Sequence, residues 1–306
     1  MDIFLPPGLG DTYWCLTKLE SYKKRNNVNY MRLVIMDNKT LNRSLDFLKR
    51  IDFVDDVTYT SEVTPYENNE TDKEMVDLFH EMLSITDPQG IVENFKYKNH
   101  TYDALLCFNR AMENGISLDN IMPEYETNWY LNLKPDPDHE RYKTYIRDTY
   151  DTKYVVLFVV NPDNPMYDSW RTHVGYDTIY KLASNIYSTY NYKSVIVGRE
   201  WDSGISDIFS TLDKNNIILD YIGKSPFNKM LGLFEGSEAV IGDAAGNVLL
   251  APMFGVKTFC FWSKEFFSDQ RFNSNSVTPD SVNRWYFPIE VSEYDEPFII
   301  KKLGSK

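Results

Sequence analysis

Few residues in this chain suit redox, metal or nucleic-acid chemistry. There are three cysteines in 306 residues, Cys15, Cys107 and Cys260, odd in number and far apart. That spacing argues against a disulfide framework and predicts free thiols in a reducing compartment, hence a cytoplasmic protein. The four histidines, His80, His100, His139 and His173, have no ligand spacing, so no histidine-based metal site is expected. Basic residues are outnumbered, and the formal net charge of −13 makes a nucleic-acid partner unlikely, since phosphate backbones need clustered Lys and Arg. The one short basic cluster, Lys23-Lys24-Arg25, falls at a predicted helix end, where cations suit the dipole. Apolar runs such as Tyr154–Val160 are far too short to span a bilayer. The start, Met-Asp-Ile-Phe-Leu-Pro-Pro, has neither the basic segment nor the cleavage region of a secretory signal.

Several common motifs are also missing. There is no Gly-x-Ser-x-Gly, and Gly223-Lys-Ser225 lacks the upstream glycine of a phosphate loop. Gly8-Leu-Gly10 begins like a dinucleotide fingerprint, with Asp37 in the place of the ribose-binding acid. The third glycine falls on Tyr13, however, where bulk blocks close packing of helix on strand. Asp136-Pro-Asp138 has the form of a metal-binding Asp-x-Asp but lies in a polar, Pro-punctuated stretch that reads as a solvated hinge.

What is present is an ordinary soluble composition, 42% hydrophobic and 25% charged, in a chain long enough for two domains. Short apolar runs alternate with longer amphipathic ones. Strands are expected at Ile3–Leu5, Met31–Met36, Val57–Thr60, Tyr102–Phe108 and Trp129–Leu133. Helices are expected at Thr12–Arg25, Thr40–Arg50 and Asp72–Ser84. The segment from Lys134 to Glu140 reads as a linker, with a short bridging helix near Arg141–Tyr150. The second half then alternates five strands, Tyr154–Val160, Ser194–Val197, Ile217–Tyr221, Ala239–Ile241 and Thr258–Phe261, with helices. Such alternation predicts a parallel, doubly wound sheet that binds ligands beyond the carboxyl ends of its strands. The expected organisation is an N-terminal domain over residues 1–134, a linker over 135–150, a C-terminal domain over 151–285 and a C-terminal segment over 286–306, with no clean period from about Phe266 to Lys306. The two Rossmann-like α/β domains would face each other across a cleft.

The stretch from Glu238 to Trp262 carries the most chemistry. It reads as strand, tight turn, helix and strand, and the turn Gly242-Asp243-Ala244-Ala245-Gly246 bears small side chains. A backbone can approach a ligand closely there, and the helix that follows, beginning at Asn247, presents its free amides, so the turn suits a diphosphate. On the other half, Gly8, Gly10 and Thr12 frame Asp11 between the first strand and helix. Asp11 reads either as a helix N-cap or as a general base for a hydroxyl acceptor. Tyr13, Trp14 and Trp262 are candidates to stack on a base or a sugar.

Taken in order, Gly8-Leu-Gly-Asp11, Trp170 ahead of a helix, Ile222-Gly-Lys-Ser225 and Val240-Ile-Gly-Asp-Ala-Ala-Gly-Asn-Val-Leu-Leu-Ala251 resemble the heptosyltransferase-like glycosyltransferases of family nine. The resemblance covers most of Tyr154–Trp262 and little of the N-terminal half beyond its first turn. It implies the two-domain GT-B fold and an inverting, metal-independent enzyme that uses a nucleotide-sugar co-substrate and a hydroxyl acceptor, with no other cofactor. By position it makes Asp11 the catalytic base, Gly246 the glycine whose turn holds the donor diphosphate, and Glu200 the acid near the donor ribose. Trp170 matches a tryptophan of packing role.

Three positions depart from the family: Ala244 stands where an Asp is usual, Leu249 where a His is usual and Asp168 where a Lys is usual. Losing two such groups would weaken phosphate binding by ~1.5–3 kcal/mol each if the contacts were charge-assisted. Arg171, Arg199 and Lys224 are candidates to replace them. The same departures leave open a non-catalytic nucleotide- or glycan-binding relative. A transferase acting on modified DNA bases, as some viruses encode, is a further alternative.

Overall fold

The computed structural model describes residues 1–36, 45–64, 77–85 apart from 79 and 83, 90–160, 174–264 and 285–305. Asp37, Asp168, Trp170, Arg171 and His173 lie outside the described residues, as do parts of the helices expected at Thr40–Arg50 and Asp72–Ser84. The chain divides into two compact units, one on residues 1–134 and one on residues 135–264 and 285–305 of the described chain.

The first unit is a five-stranded sheet of order β3-β2-β1-β5-β4. Strands β1 (Asp2–Leu5), β2 (Arg32–Ile35), β3 (Asp56–Tyr59) and β5 (His100–Leu106) are mutually parallel along the sheet. Strand β4 (Ile91–Tyr97) pairs antiparallel with β5. Helix α1 (Leu9–Arg25) follows β1 and buries Tyr13, Trp14, Leu16 and Leu19. Tyr13 and Trp14 are therefore core residues, each 1% exposed, and do not stack on a ligand. The Tyr13 hydroxyl donates to Trp129 O at 2.7 Å. Short helices α2 (Leu45–Leu48), α3 (Thr60–Val63) and α4 (Asn109–Glu113), and a 3-10 turn over Leu118–Asn120, are further elements of this unit.

Two expectations need correction here. The stretch from Trp129 to Leu133 is not a strand: Leu133 makes one isolated antiparallel bridge with Ile51. Strand β4 was not expected, because its pattern of burial is irregular, as befits an edge strand with one residue, Asn94, at a φ of +51°.

The second unit opens on α5 (Pro137–Tyr150), which includes the bridging helix expected near Arg141–Tyr150 and starts four residues earlier, within the stretch read as polar linker. The start of this helix is fixed by local chemistry. Asp136 is the N-cap and accepts from His139 N at 2.9 Å, and Pro137 fills the first turn, where its missing N–H costs nothing. Asp136-Pro-Asp138 is thus a helix start rather than a hinge.

The sheet of this unit has six parallel strands in the order β11-β10-β9-β6-β7-β8. They are β6 (Tyr154–Phe158), β7 (Lys193–Gly198), β8 (Ile218–Ile222), β9 (Ala239–Asp243), β10 (Lys257–Trp262) and β11 (Tyr286–Glu290). The crossovers are α6 (Tyr176–Tyr190), α7 (Ser203–Leu212), α8 (Phe227–Gly236) and α9 (Gly246–Leu250), the last running into a 3-10 turn over Ala251–Phe254. Helix α10 (Glu296–Gly304) closes the chain.

Every residue of β6 is buried, as expected for a central strand covered on both faces. Each such Val or Leu contributes about 1.5–3 kcal/mol of burial. The core continues through Leu182, Ile186, Ile196, Ile241 and Phe259. This strand order reverses between β6 and β9, which is the doubly wound arrangement with its switch point there. Strand β11 and helix α10 were not expected. They add a sixth strand to the five read from the sequence.

Candidate functional site

Asp11 lies at the third position of α1, not at its N-cap, which is Gly8. Its partly exposed carboxylate is folded back over the start of the helix. A β-carbon on Gly8 would stand 2.3 Å from Asp11 Oδ2, so the absence of a side chain at residue 8 is what leaves room for this carboxylate. Gly8 has ordinary extended dihedrals, φ −71° and ψ 128°, so the space matters more than the backbone. Thr12, one residue on, is fully buried and donates its hydroxyl to Pro6 O at 2.9 Å, which ties the loop to the helix. Gly10 is buried within the first turn.

In the second unit the expected turn is shorter than Gly242–Gly246. Strand β9 runs through Asp243, pairing Gly242 with Cys260 on one side and Phe158 on the other. A β-carbon on Gly242 would meet Phe158 O at 2.1 Å. That glycine serves the close approach of two strands, not of a ligand. Asp243 is 2% exposed and its Oδ2 accepts from Val160 N at 2.8 Å, fastening the exit of β6 to the exit of β9 at the switch point. The Ala244 amide donates to Phe261 O at 2.7 Å and is spent in the sheet.

What remains of the turn is the start of α9. Its first helical bond runs from Leu249 N to Ala245 O, so the amides of Gly246, Asn247 and Val248 have no acceptor within the helix. Ala245 is the N-cap and, having no polar side chain, cannot satisfy them itself.

A small pocket, with a cavity volume of about 10 Å³, lies at the start of α9. Asn247 lines one side of it, and Val197, Gly198 and Arg199 at the end of β7 line another. The β8–α8 connection supplies Ser225, Phe227 and Met230. The connection is shaped by Gly223, at a φ of +67°, whose amide donates to Gly198 O at 3.0 Å. The pocket therefore sits over the carboxyl ends of the parallel strands, where such sheets bind ligands.

Of the expected donor residues, the structure brings Arg199 and Asn247 together in this pocket. Glu200 is exposed just beyond, its backbone packed 3.5 Å from where a Gly223 β-carbon would be. Lys224 is exposed and paired with Asp220 at 2.9 Å, which spends part of its charge. Trp262, partly exposed, ends β10 and is not among the residues lining the pocket. The pocket walls Val197, Phe227 and Met230 were not foreseen, since apolar residues next to predicted strands and helices read as core. Ser225 was legible only as part of a motif.

Two further observations bound the chemistry. Among the described residues there is no group of three or more His, Cys, Asp or Glu placed to hold a metal ion. No described helix is long and apolar enough to cross a membrane.

Comparison with solved structures identifies the fold. The E. coli ADP-heptose LPS heptosyltransferase II superposes with a TM-score of 0.60 at 10% identity, over 99% of this chain and 96% of that one. A glycosyl transferase family 9 protein from Veillonella parvula gives 0.59 at 11% identity, over 98% and 95%. E. coli heptosyltransferase WaaC, solved with ADP-2-deoxy-2-fluoro heptose, gives 0.53 at 10% identity over 98% of each chain. No family model matches the sequence, and no curated protein matches it. The chain thus has the two-unit α/β fold, GT-B, of the family nine glycosyltransferases. Within that class it is similar in fold to the heptosyltransferases, as the resemblance in its motifs implied.

Proposed function

We propose that this chain is a glycosyltransferase that moves a sugar from a nucleoside-diphosphate sugar to a hydroxyl acceptor, with inversion and without a metal. The observation that carries the reading is the pocket at the strand ends of the second unit. Asn247, in the first turn of α9, lines it, in a chain that shares its fold with heptosyltransferases over almost its whole length. In this reading the donor diphosphate accepts hydrogen bonds from the helix-start amides of Gly246 and Asn247 and is faced by Arg199, with Arg171, Lys224 and Glu200 as further donor-side candidates. The first unit supplies the acceptor side through Gly8, Gly10 and Thr12, and Asp11 is the general base.

The reaction balances simply. Asp11 takes the proton of the acceptor hydroxyl, and the acceptor oxygen bonds to the anomeric carbon from the face opposite the donor. The bond from that carbon to the diphosphate oxygen breaks, and the nucleoside diphosphate leaves with its electrons. Helix-start amides and the Arg199 guanidinium stabilise the charge that develops on the departing group. A donor screen with wild type and Asp11→Asn tests the proposal. Transfer by the wild type that falls at least 100-fold in the variant supports it, and undiminished turnover in the variant removes Asp11 from the mechanism.

A second reading, a nucleotide- or glycan-binding protein without transfer activity, is favoured by Ala244 and Leu249, which replace an acid and a histidine of the family pattern. Measurable donor binding with neither transfer nor donor hydrolysis, over a panel of acceptors, would decide for it.

A further inference from the structure

The loop that leads into Asp11 is built almost without donors. Pro6 and Pro7 have no amide hydrogen, so between β1 and α1 the main chain offers a single N–H, at Gly8. The loop is held through its carbonyls instead. Where it begins, Leu5 O accepts from Met36 N, just past β2, at 3.0 Å. Two more carbonyls are held by one residue. Thr12 donates its amide to Gly8 O at 2.8 Å and its hydroxyl to Pro6 O at 2.9 Å.

Asp11 rests on this loop. Its Oδ2 lies 2.3 Å from where a Gly8 β-carbon would stand, so the carboxylate packs directly against the Gly8 backbone. The two bonds from Thr12 differ in what they ask of the sequence. The amide bond to Gly8 O is the first helical bond of α1, and any residue other than proline supplies it. The bond to Pro6 O needs a short hydroxyl side chain that reaches back along the loop. Thr12 is fully buried, so it does not itself meet an acceptor molecule. We propose that Thr12 is a positioning residue for Asp11: by fixing Pro6 and Gly8 together, it holds the surface on which the carboxylate lies. This rests on the reading of Asp11 as the base and adds to it the residue that keeps the base in place. Misplacing a catalytic group by about 1 Å costs up to 10²-fold in rate.

A double-mutant cycle on the full chain tests the inference. The assay follows nucleoside diphosphate released from ADP-heptose, or from UDP-, GDP- or CDP-glucose, over a panel of sugar acceptors. Thr12→Val keeps the shape of the side chain and deletes the hydroxyl. Its kcat is expected to fall about tenfold, with KM within about twofold of wild type. Thr12→Ser, which keeps the hydroxyl, should recover most of that loss. In the Asp11→Asn background, Thr12→Val should change kcat by less than about twofold, because no base is left to misplace. Thr17 provides a control, since it is also fully buried on α1 and its hydroxyl donates to a main-chain carbonyl, Trp14 O, at 2.6 Å. That bond lies outside the loop, so Thr17→Val should keep the wild-type kcat. If Thr12→Val does not fold, the smaller Thr12→Ala takes its place in the cycle with the same expected values.

A wild-type kcat in Thr12→Val overturns the inference. So does an equal fall in Thr12→Ser or Thr17→Val, or a fall of the same size in both backgrounds, since each would mean that Thr12 supports the fold and not the base. Full turnover by Asp11→Asn, or no release from any donor by wild type, removes the base reading itself, a result distinct from these.

Discussion

A β-carbon at residue 8 and the carboxylate of Asp11 would compete for one space, 2.3 Å apart. Gly8→Ala is therefore expected to rotate Asp11 out of its place without breaking the backbone, since the dihedrals at residue 8 suit alanine. The cost in stability should stay at or below about 1 kcal/mol, the ordinary loss from alanine at an N-cap. Sugar transfer should fall at least tenfold if Asp11 is the base, because misplacing a catalytic group by about 1 Å costs up to 10²-fold. Thermal unfolding and turnover measured on the same preparation check the two halves of this prediction.

Asp243 shows the opposite case, a residue that looked like part of a ligand turn and serves the fold. Its carboxylate holds the Val160 amide at the switch point. Asp243→Ala should cost about 1–3 kcal/mol, the price of an unsatisfied buried amide, and Asp243→Asn, whose carbonyl can still accept, should cost less. Chemical denaturation distinguishes the two. At this scale the sequence showed which residues were unusual but not which way they face. Asp11, Gly242 and Asp243 all stood out as small or acidic groups near turns, and the direction of each depends on strands brought together from distant segments.

Helices α5 and α8 pack together in the second unit through a polar cluster. His139 Nε2 is 2.7 Å from Glu235 Oε2, and Lys143 Nζ reaches the other oxygen of that carboxylate. The hydrogen bond with His139 is the largest cause that draws the Glu235 carboxyl from 4.5 down to about 2. Partial burial opposes it and Lys143 assists it. Between those two values the unfolded chain carries a proton on Glu235 that the folded chain does not. The stabilisation is therefore complete above about 4.5 and is lost as pH falls towards about 2. Solvent screening at this partly exposed site reduces it to about 1 kcal/mol. Glu235→Gln should lower stability at pH 7 and flatten its decline between pH 4.5 and 2, as read from denaturant midpoints at several pH values.

Elements were legible where their environment was uniform. Strand β6, buried throughout, and the helices that alternate with its neighbours followed from short apolar runs. Strand β4 escaped because an edge strand paired on one side has no regular alternation. Strand β11 carries Pro288, a residue at home at a sheet edge but a poor strand signal, and it lies at the end of its sheet. The start of α5 was marked by Asp136 and Pro137, yet the same two residue types also mark loops, and only the capping bond to His139 N separates the cases.

For the whole molecule, the division into two α/β units was readable because each repeats strand, turn and helix on its own, and a parallel sheet requires such crossovers. The pocket was less so. It is assembled from the ends of β7, β8 and β9, which lie far apart in the chain and meet through the strand order alone. The same division gives a final test. If the second unit holds the nucleotide, a nucleoside diphosphate present at 100 times its Kd stabilises the bound state by about 2.7 kcal/mol. Hydrogen exchange limited by opening of that site should then slow by up to about 100-fold. The slowing is expected at residues 197–200, 223–227 and 246–249, with exchange across β1, β2 and β5 unchanged when no acceptor is present. Protection centred on the first unit instead would move the nucleotide site there and leave the pocket of the second unit without its proposed occupant.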